Sequence, residues 1–469
     1  MKKSLLLVSL LVLGCVLAFS TDIRVFINPY PPFGYLEKGM TKGFSVDVVQ
    51  AISEELGQTT PLQYMEWEVA FQRLHEDPNV AIPMLIMNPE RKELFQWVGP
   101  IAIAQTAFYA KKSNDISLNN LEDAKKAPKI IVVENFYSHQ LLSRNGFENL
   151  AVYPSLEEAF QAFLREENAL FPCDNFVLAS LLDTHPVSIS DLNQVFTFSM
   201  DFMYIAFSKT TDEKVVRQWQ AALDRLKGNG TFGEIYHKWL PWGEAPGTQV
   251  FLSEEYPPLT YTLEDGTSTG FVTDLVKEIN RRMGNQETIL TLDWNLVYQN
   301  ALVNPNVVLF SMAQTEERAP LFHWVGPVIQ TRASFYKNAA SNLAVPSLEY
   351  AKKVQKIATT SSWWMEQRLI DEGFENLVSY GSPEKCVDEL LKGNVELSVF
   401  TDLTVGDIVQ NAGYDMDQLQ DVLLLESRNV YIGISKGTSP EYLDAFQKAY
   451  DSIVMDGTYA QIHERYFSE

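Results

Sequence analysis

The second half of this chain repeats the first, and that restricts its fold more than any other feature. GFSVDVVQAI (43–52) returns as GFVTDLVKEI (270–279), PERKELFQWVGPI (89–101) as EERAPLFHWVGPV (316–328), and GFENL stands at both 146–150 and 373–377. Trp67 and Trp294, Arg91 and Arg318, Gly146 and Gly373, and Gly230 and Gly457 are each 227 residues apart. A period that long exceeds any stacking unit of a solenoid, so it marks tandem duplication of a whole domain. The joint, LPWGEAPGT (240–248), is rich in Pro and Gly and too short to be a flexible tether. The expected units are a leader over 1–20, one domain over 21–244 and a second over 247–469. Apolar residues make up 46% of the 469, enough for each copy to bury its own core.

Within each copy, short apolar runs alternate with amphipathic stretches. IRVFI (23–27), VAIPMLIM (80–87) and KIIVV (129–133) read as strands, and VVLFSMA (307–313) and KIAT (356–359) as their counterparts. Asp47–Leu56 places Val48, Ile52 and Leu56 on one helical face. Asn88, Pro89 and Glu90 supply a cap, a first-turn proline and an early acid, so a helix is expected there, with Thr315 as the cap in copy two. NGTFGEIYHKWL (229–240) and DGTYAQIHERYF (456–467) each read as a turn and a closing helix. The alternation predicts an α/β fold with largely parallel sheets.

Residues 1–20 carry Lys2 and Lys3 ahead of a nearly unbroken apolar run, followed by Ala18 and Ser20 at cleavage-site spacing. That is the pattern of a secretory leader. LVLGC, ending at Cys15, offers a second reading as a lipoprotein box. No other run is long and apolar enough to span a bilayer, so the remainder is expected outside the cytoplasm. The formal charge of −23 argues against nucleic acid and anionic lipid as partners and leaves attraction of cationic ligands open. Cys173 and Cys386 lie in different copies and are expected to be free buried thiols.

No GxSxG, HExxH, phosphate-loop or CxxC motif is present, and His75, His139 and His323 lack metal-ligand spacing. No catalytic residue, metal or cofactor is therefore expected. Paired positions point instead to binding. Tyr30 sits in YPPF and Tyr256 in YPPL; Trp67 and Trp294 each precede a helix; Arg91 and Arg318 fall in a first helical turn, where free N–H groups and the positive helix end favour an anion. Asp174 and Asp402 follow apolar runs and would suit a ligand ammonium.

On these strings, together with PNVAIPMLIMNPER and PNVVLFSMAQTEER, each copy resembles the bacterial extracellular solute-binding proteins of family 3, the polar-amino-acid receptors of ABC transporters. The resemblance implies two tandem bilobed domains of the type II periplasmic-binding-protein kind, each with two α/β lobes joined by two hinge strands. It places the crossings near 105–110 and 202–208, and near 332–337 and 429–435. It also implies that Arg91 and Arg318 bind a ligand carboxylate, Asp174 and Asp402 an ammonium, and that Tyr30, Trp67, Tyr256 and Trp294 wall the pocket. Donors are expected seven and five residues before the arginine, where copy two has Ser311 and Ala313 but copy one has Met84 and Ile86. The second-lobe donor turn reads TTSSW in copy two, offering Ser361 and Ser362, and VENFY in copy one. Copy two is therefore expected to be the better amino-acid site, and copy one to take something less polar or to serve as scaffold.

The resemblance points to a non-enzymatic receptor for amino acids or related small organic acids, lying in the periplasm or otherwise outside the cytoplasm and serving the membrane subunits of an ABC importer. The alternatives are an enzyme on the same scaffold, such as a dehydratase, or a sensory or scaffold module.

Overall fold

The computed structural model describes residues 23–467, apart from 115, 117, 119, 242–243, 264–265 and 286–287. The expected leader and Cys15 lie outside the described residues. Eight strands of the first half form one mixed sheet: β1 (Arg24–Ile27), β2 (Leu62–Tyr64), β3 (Val80–Ile86), β4 (Phe95–Lys111), β5 (Lys129–Val133), β6 (Leu150–Tyr153), β7 (Ala169–Asp174) and β8 (Leu192–Ser208), in the order β2-β1-β3-β8-β4-β7-β5-β6. The second half repeats it with β9 (Val250–Ser253), β10 (Thr288–Thr291), β11 (Val307–Ala313), β12 (Phe322–Asn338), β13 (Ile357–Thr360), β14 (Leu377–Tyr380), β15 (Leu397–Thr401) and β16 (Leu419–Ser435), ordered β10-β9-β11-β16-β12-β15-β13-β14. Three helices matter below: α1 (Trp67–Glu76), α2 (Asn175–Thr184) and α3 (Trp294–Val303).

Each sheet divides into two parallel parts joined by antiparallel strands. β1 pairs in parallel with β2 and β3, and β5 in parallel with β6 and β7. β4 and β8, of 17 residues each, run antiparallel to one another and belong to both parts. β8 pairs with β3 at Met203–Phe207, and β4 pairs with β7 at Thr106–Tyr109. The crossings therefore lie between, near 102–105 on β4 and 200–202 on β8. Copy two crosses near 329–332 and 427–429 by the same pairing logic. The stretches expected from sequence begin where the strands are already anchored in a lobe, a few residues from the crossings themselves.

Local chemistry explains most elements. The helix Phe44–Glu55 buries Phe44, Val48, Val49 and Ile52 on one face; Val48 and Ile52 lie there as the apolar spacing predicts, while Leu56 is the half-buried residue that caps the helix. Gly43 ahead of it has φ 131°, and a Cβ there would sit on the Phe33 carbonyl; Gly270 has φ 120° in the same position. This is why GF opens both repeats. Asn88 caps its turn by accepting from Arg91 N at 2.9 Å, with Pro89 in the first turn. In copy two, Thr315 Oγ1 accepts from Arg318 N at 3.2 Å, but the segment is a series of turns and not the helix expected. Pro320 helps explain the difference, since it has no N–H to continue a helical ladder. Cys173 and Cys386 are both free and buried.

The joint between copies is pinned. Thr288 Oγ1 donates to Ala245 O at 3.1 Å, and the fully buried-ammonium side chain of Lys227 donates to Pro100 O and Gly247 O, each at 2.7 Å. Burial pulls the Lys227 ammonium down to about 7. Lys227→Met should strand both carbonyls, each of which costs about 1–3 kcal/mol when left bare. Relief of the buried charge offsets part of this. A net destabilisation of about 1–3 kcal/mol is expected in urea denaturation.

Candidate functional site

In each copy the first lobe presents an arginine over an aromatic shelf. Trp294 opens α3 and stacks on Tyr298 one turn later, with ring centroids 5.3 Å apart. The Arg318 guanidinium lies 4.8 Å from the Trp294 ring centre and 5.2 Å from that of Tyr298, with Nη1 directed to Ala313 O at 3.4 Å. Copy one builds the same shelf: Trp67 stacks on Phe71 at 5.0 Å, and Arg91 lies 5.4 Å over Phe71, with Nη1 3.5 Å from Ile86 O. Burial lowers the pKa of Arg318, the cost of holding a cation where water is scarce.

Beneath each arginine, the strand leading to it is kinked. Met84 and Ser311 stand at equivalent positions with φ 62° and 61°, a left-handed conformation that non-glycine residues rarely adopt. The pairing register shifts there in copy two, between Leu309 and Met312. Strain repeated at one place in two copies fits a backbone shaped for a site. In copy two the kink turns Ser311, Met312 and Ala313 toward a small cavity between the lobes. Ser311 Oγ is 2.7 Å from Thr260 Oγ1.

The sequence expectations missed the second charged group of this cavity. Glu254, just past the end of β9, lines it together with Tyr256, Trp294, Arg318, Trp363 and Trp364. Desolvation pushes the Glu254 carboxyl up to about 8; Trp363 and Arg318 act against that rise and Asp293 adds to it. The carboxylate precedes YPPL, and its nearness to an expected pocket residue was the only available signal.

The lobes of copy two are shut on one another. Trp363 Nε1 of the second lobe donates to Glu254 Oε2 of the first at 3.1 Å, and Tyr256 Oη and Thr401 Oγ1 are 3.0 Å apart. The Tyr256 and Trp363 rings meet edge to face at 5.2 Å. From the hinge strand, Arg428 donates to Gln314 O at 3.2 Å, and its guanidinium lies 4.9 Å over the Trp364 ring.

Three expected residues of copy two are placed elsewhere. Ser361 and Ser362 are exposed; Ser362 N donates to Glu366 Oε2 at 2.9 Å, and the two following tryptophans, not the serines, enter the cavity. Asp402 is also exposed. Its Oδ1 accepts from Thr331 Oγ1 at 3.0 Å and from Arg332 N at 2.9 Å, so it ties down the hinge strand. The strand register explains this correction. Ala333 pairs with Thr401 as Thr106 pairs with Asp174, so the counterpart of Asp174 is Thr401. The counterpart of Asp402 is Asn175, whose Oδ1 accepts from Gln105 N at 3.0 Å.

In copy one, Tyr30 and Asp174 stand near one another, with contacts unlike those of copy two. Asp174 caps α2, accepting from Phe176 N at 3.0 Å and Val177 N at 2.9 Å, and burial raises its pKa. The Tyr30 hydroxyl is pushed up to about 12 by burial and by the Asp174 carboxylate. Phe33 of the first lobe meets Phe176 of the second edge to face at 4.9 Å. Phe136, in the place expected of a donor, is 44% exposed.

The model of the bacterial extracellular solute-binding proteins, family 3, matches residues 23–241 and again 249–469. The chain belongs to that family. It does so twice over, as two tandem family 3 domains of α/β fold. An arginine-binding periplasmic protein of Mannheimia haemolytica is 30% identical over 252 residues, covering 51% of this chain and 99% of that protein. An L-arginine-binding protein of Pseudomonas aeruginosa is 24% identical, covering 47% of this chain and 87% of its own. Among solved structures, the B. pertussis BvgS periplasmic domain aligns over 96% of this chain and 91% of its own at 14% identity, with a TM-score of 0.40. Among the described residues, no group of His, Cys, Asp and Glu is arranged to hold a metal ion, and no helix is long and apolar enough to cross a membrane.

Proposed function

We propose that the protein is a receptor outside the cytoplasm for an amino acid bearing a second positive charge, and that it passes this ligand to the membrane subunits of an ABC importer. The observation that carries the reading is the pairing of one half-buried cation, Arg318, with one desolvated carboxyl, Glu254, in a single cavity walled by Tyr256, Trp294, Trp363 and Trp364. Each group bears a desolvation cost that an opposite ligand charge would relieve. A ligand carboxylate on Arg318 and a ligand cation on Glu254 match both at once, with Ser311 able to add a hydroxyl. The acidic surface favours encounter with such a ligand. Names of two relatives, which specify arginine, agree with a cationic side chain. The action is binding and closure, without chemistry.

In this reading the domains are 21–244 and 247–469, exported by the leader over 1–20, with Cys15 as an alternative lipid anchor. Copy one is the less polar cleft: Arg91 takes a carboxylate, Tyr30 and Trp67 wall it, and Asp174, engaged as a helix cap, faces Tyr30. A thermal-shift screen of the mature chain against the amino acids tests the proposal. L-arginine and L-lysine should raise the transition, since a ligand at 100 times its Kd stabilises by about 2.7 kcal/mol. Stabilisation by acidic or purely apolar amino acids alone would contradict the charge assignment.

A further inference from the structure

The two domains are joined by more than their linker. Met87, Ile103, Met200, Phe202 and Tyr204 of domain 1 belong to the buried core of domain 2. Strand β8 of domain 1 packs on α3, the helix that opens with Trp294 at the second cleft. Asn300 Nδ2 donates to Met200 O at 3.1 Å, and Tyr204 Oη donates to the buried Asn304 Oδ1 at 3.1 Å. Lys92 Nζ donates to Val303 O at 2.6 Å and approaches Leu302 O at 3.5 Å, both carbonyls in the last turn of α3. Those carbonyls have no partner within a helix, and a cation there also meets the negative end of the helix dipole.

The duplicated copy supplies an internal control. α1, the counterpart of α3, carries Arg73 and His75 in its own last turn, and Asp77 beyond it is held by Arg73 and Arg24. α3 has no basic residue in its last turn, and Asn304 replaces that aspartate. The missing cation comes from the other domain. Lys92 has no counterpart, since position 319 is alanine, and its backbone is fixed by Trp97 Nε1 donating to Lys92 O at 3.1 Å. Lys92 directly follows Arg91, so the clamp of the first cleft and the cap of α3 sit on one turn.

We infer that Lys92 and Tyr204 of domain 1 are positioning residues of the domain 2 site, holding α3 by its C-terminal end so that Trp294 and Tyr298 lie as a shelf under Arg318. This rests on the reading of Arg318 as the ligand clamp. A ten-residue helix is about 15 Å long and rigid, so a shift at one end is carried to the other. Met200 and Phe202 lie at the crossing of β8, so the hinge of domain 1 bears on the same helix. Ligand at one cleft then alters affinity at the other, and the effect is reciprocal.

The test uses the full mature chain with Lys92→Met, which keeps the apolar stem and removes the donors, Lys92→Arg as the conservative rescue, and Tyr204→Phe as an isosteric second variant. Two quantities are read: the Kd for L-arginine by calorimetry, and ligand-free amide hydrogen exchange along α3. The expected result is a Kd raised about 5-fold or more in Lys92→Met, in the range typical of site coupling, and returned toward the wild-type value in Lys92→Arg. Exchange should quicken at residues 294–298, the end remote from the substitution. Unchanged Kd in both Lys92→Met and Tyr204→Phe, or faster exchange confined to 301–304, overturns the inference. Should Lys92→Met not fold, Tyr204→Phe alone decides by the same criteria. If L-arginine fails to bind the wild-type chain, the ligand reading fails, and the exchange pattern decides the positioning role by itself.

Discussion

Arg318→Ala should abolish stabilisation by L-arginine and L-lysine while leaving the ligand-free thermal transition of domain 2 within a few degrees of wild type. The guanidinium rests on two aromatic rings and faces a cavity, and its bond to Ala313 O, at 3.4 Å, is long. Folding therefore gains little from it, and its removal also removes a desolvated charge. Binding loses a charge-assisted hydrogen bond worth about 1.5–3 kcal/mol in general, and more in a cleft closed to water. A loss of about 10- to 150-fold in affinity follows from those energies, and more where the cleft excludes water. Arg318→Lys should recover only part of it, because an ammonium keeps the charge but not the planar contact with Trp294. Differential scanning fluorimetry with and without L-arginine reads both variants; a full ligand shift in Arg318→Ala contradicts the assignment.

Glu254→Gln should change both ligand preference and pH dependence. The carboxyl is pushed up to about 8 in the closed cleft by desolvation, against a usual glutamate value of 4.5. Between those values the folded domain retains a proton that the unfolded chain has released. The group's contribution to stability is therefore complete below about pH 4.5 and is lost progressively as pH rises through about 8. Each pH unit of that window carries on the order of 1.4 kcal/mol at most. Glutamine still accepts from Trp363 Nε1 but does not titrate, so the variant should lose this slope. Comparing melting temperatures of the two proteins from pH 4.5 to 9 isolates the group, because other titrations are common to both. The variant should also lose preference for L-arginine over L-glutamine, since a neutral amide no longer rewards a cation. Equal slopes in the two proteins would contradict the burial of this carboxyl.

The duplication made much of the fold legible in the sequence. Any strand or turn signal present twice at one spacing is hard to produce by chance, so the paired arginines, the tryptophans beneath them and the apolar strands before them could be located as equivalent positions. The site residues of copy two were less legible for three physical reasons. Asp402 stands beside Thr401, and a one-residue difference in strand register sends the carboxylate out of the cleft and the hydroxyl in. Ser361 and Ser362 precede two tryptophans, and which pair enters the cavity depends on how the turn meets the opposite lobe. Glu254 acquires its meaning only when closure brings Trp363, 109 residues away, against it. The contact of Lys92 with α3 spans 211 residues and joins one copy to the other, so no local pattern announces it.

The most direct measurement of the central claim is a crystal structure of the mature chain grown with L-arginine. The account predicts the ligand enclosed in the domain 2 cleft, its α-carboxylate on the Arg318 guanidinium, its aliphatic stem among Tyr256, Trp294 and Trp363, and its guanidinium on Glu254. Density for L-arginine in the domain 1 cleft alone, or in the domain 2 cleft with no contact to either Arg318 or Glu254, would contradict it.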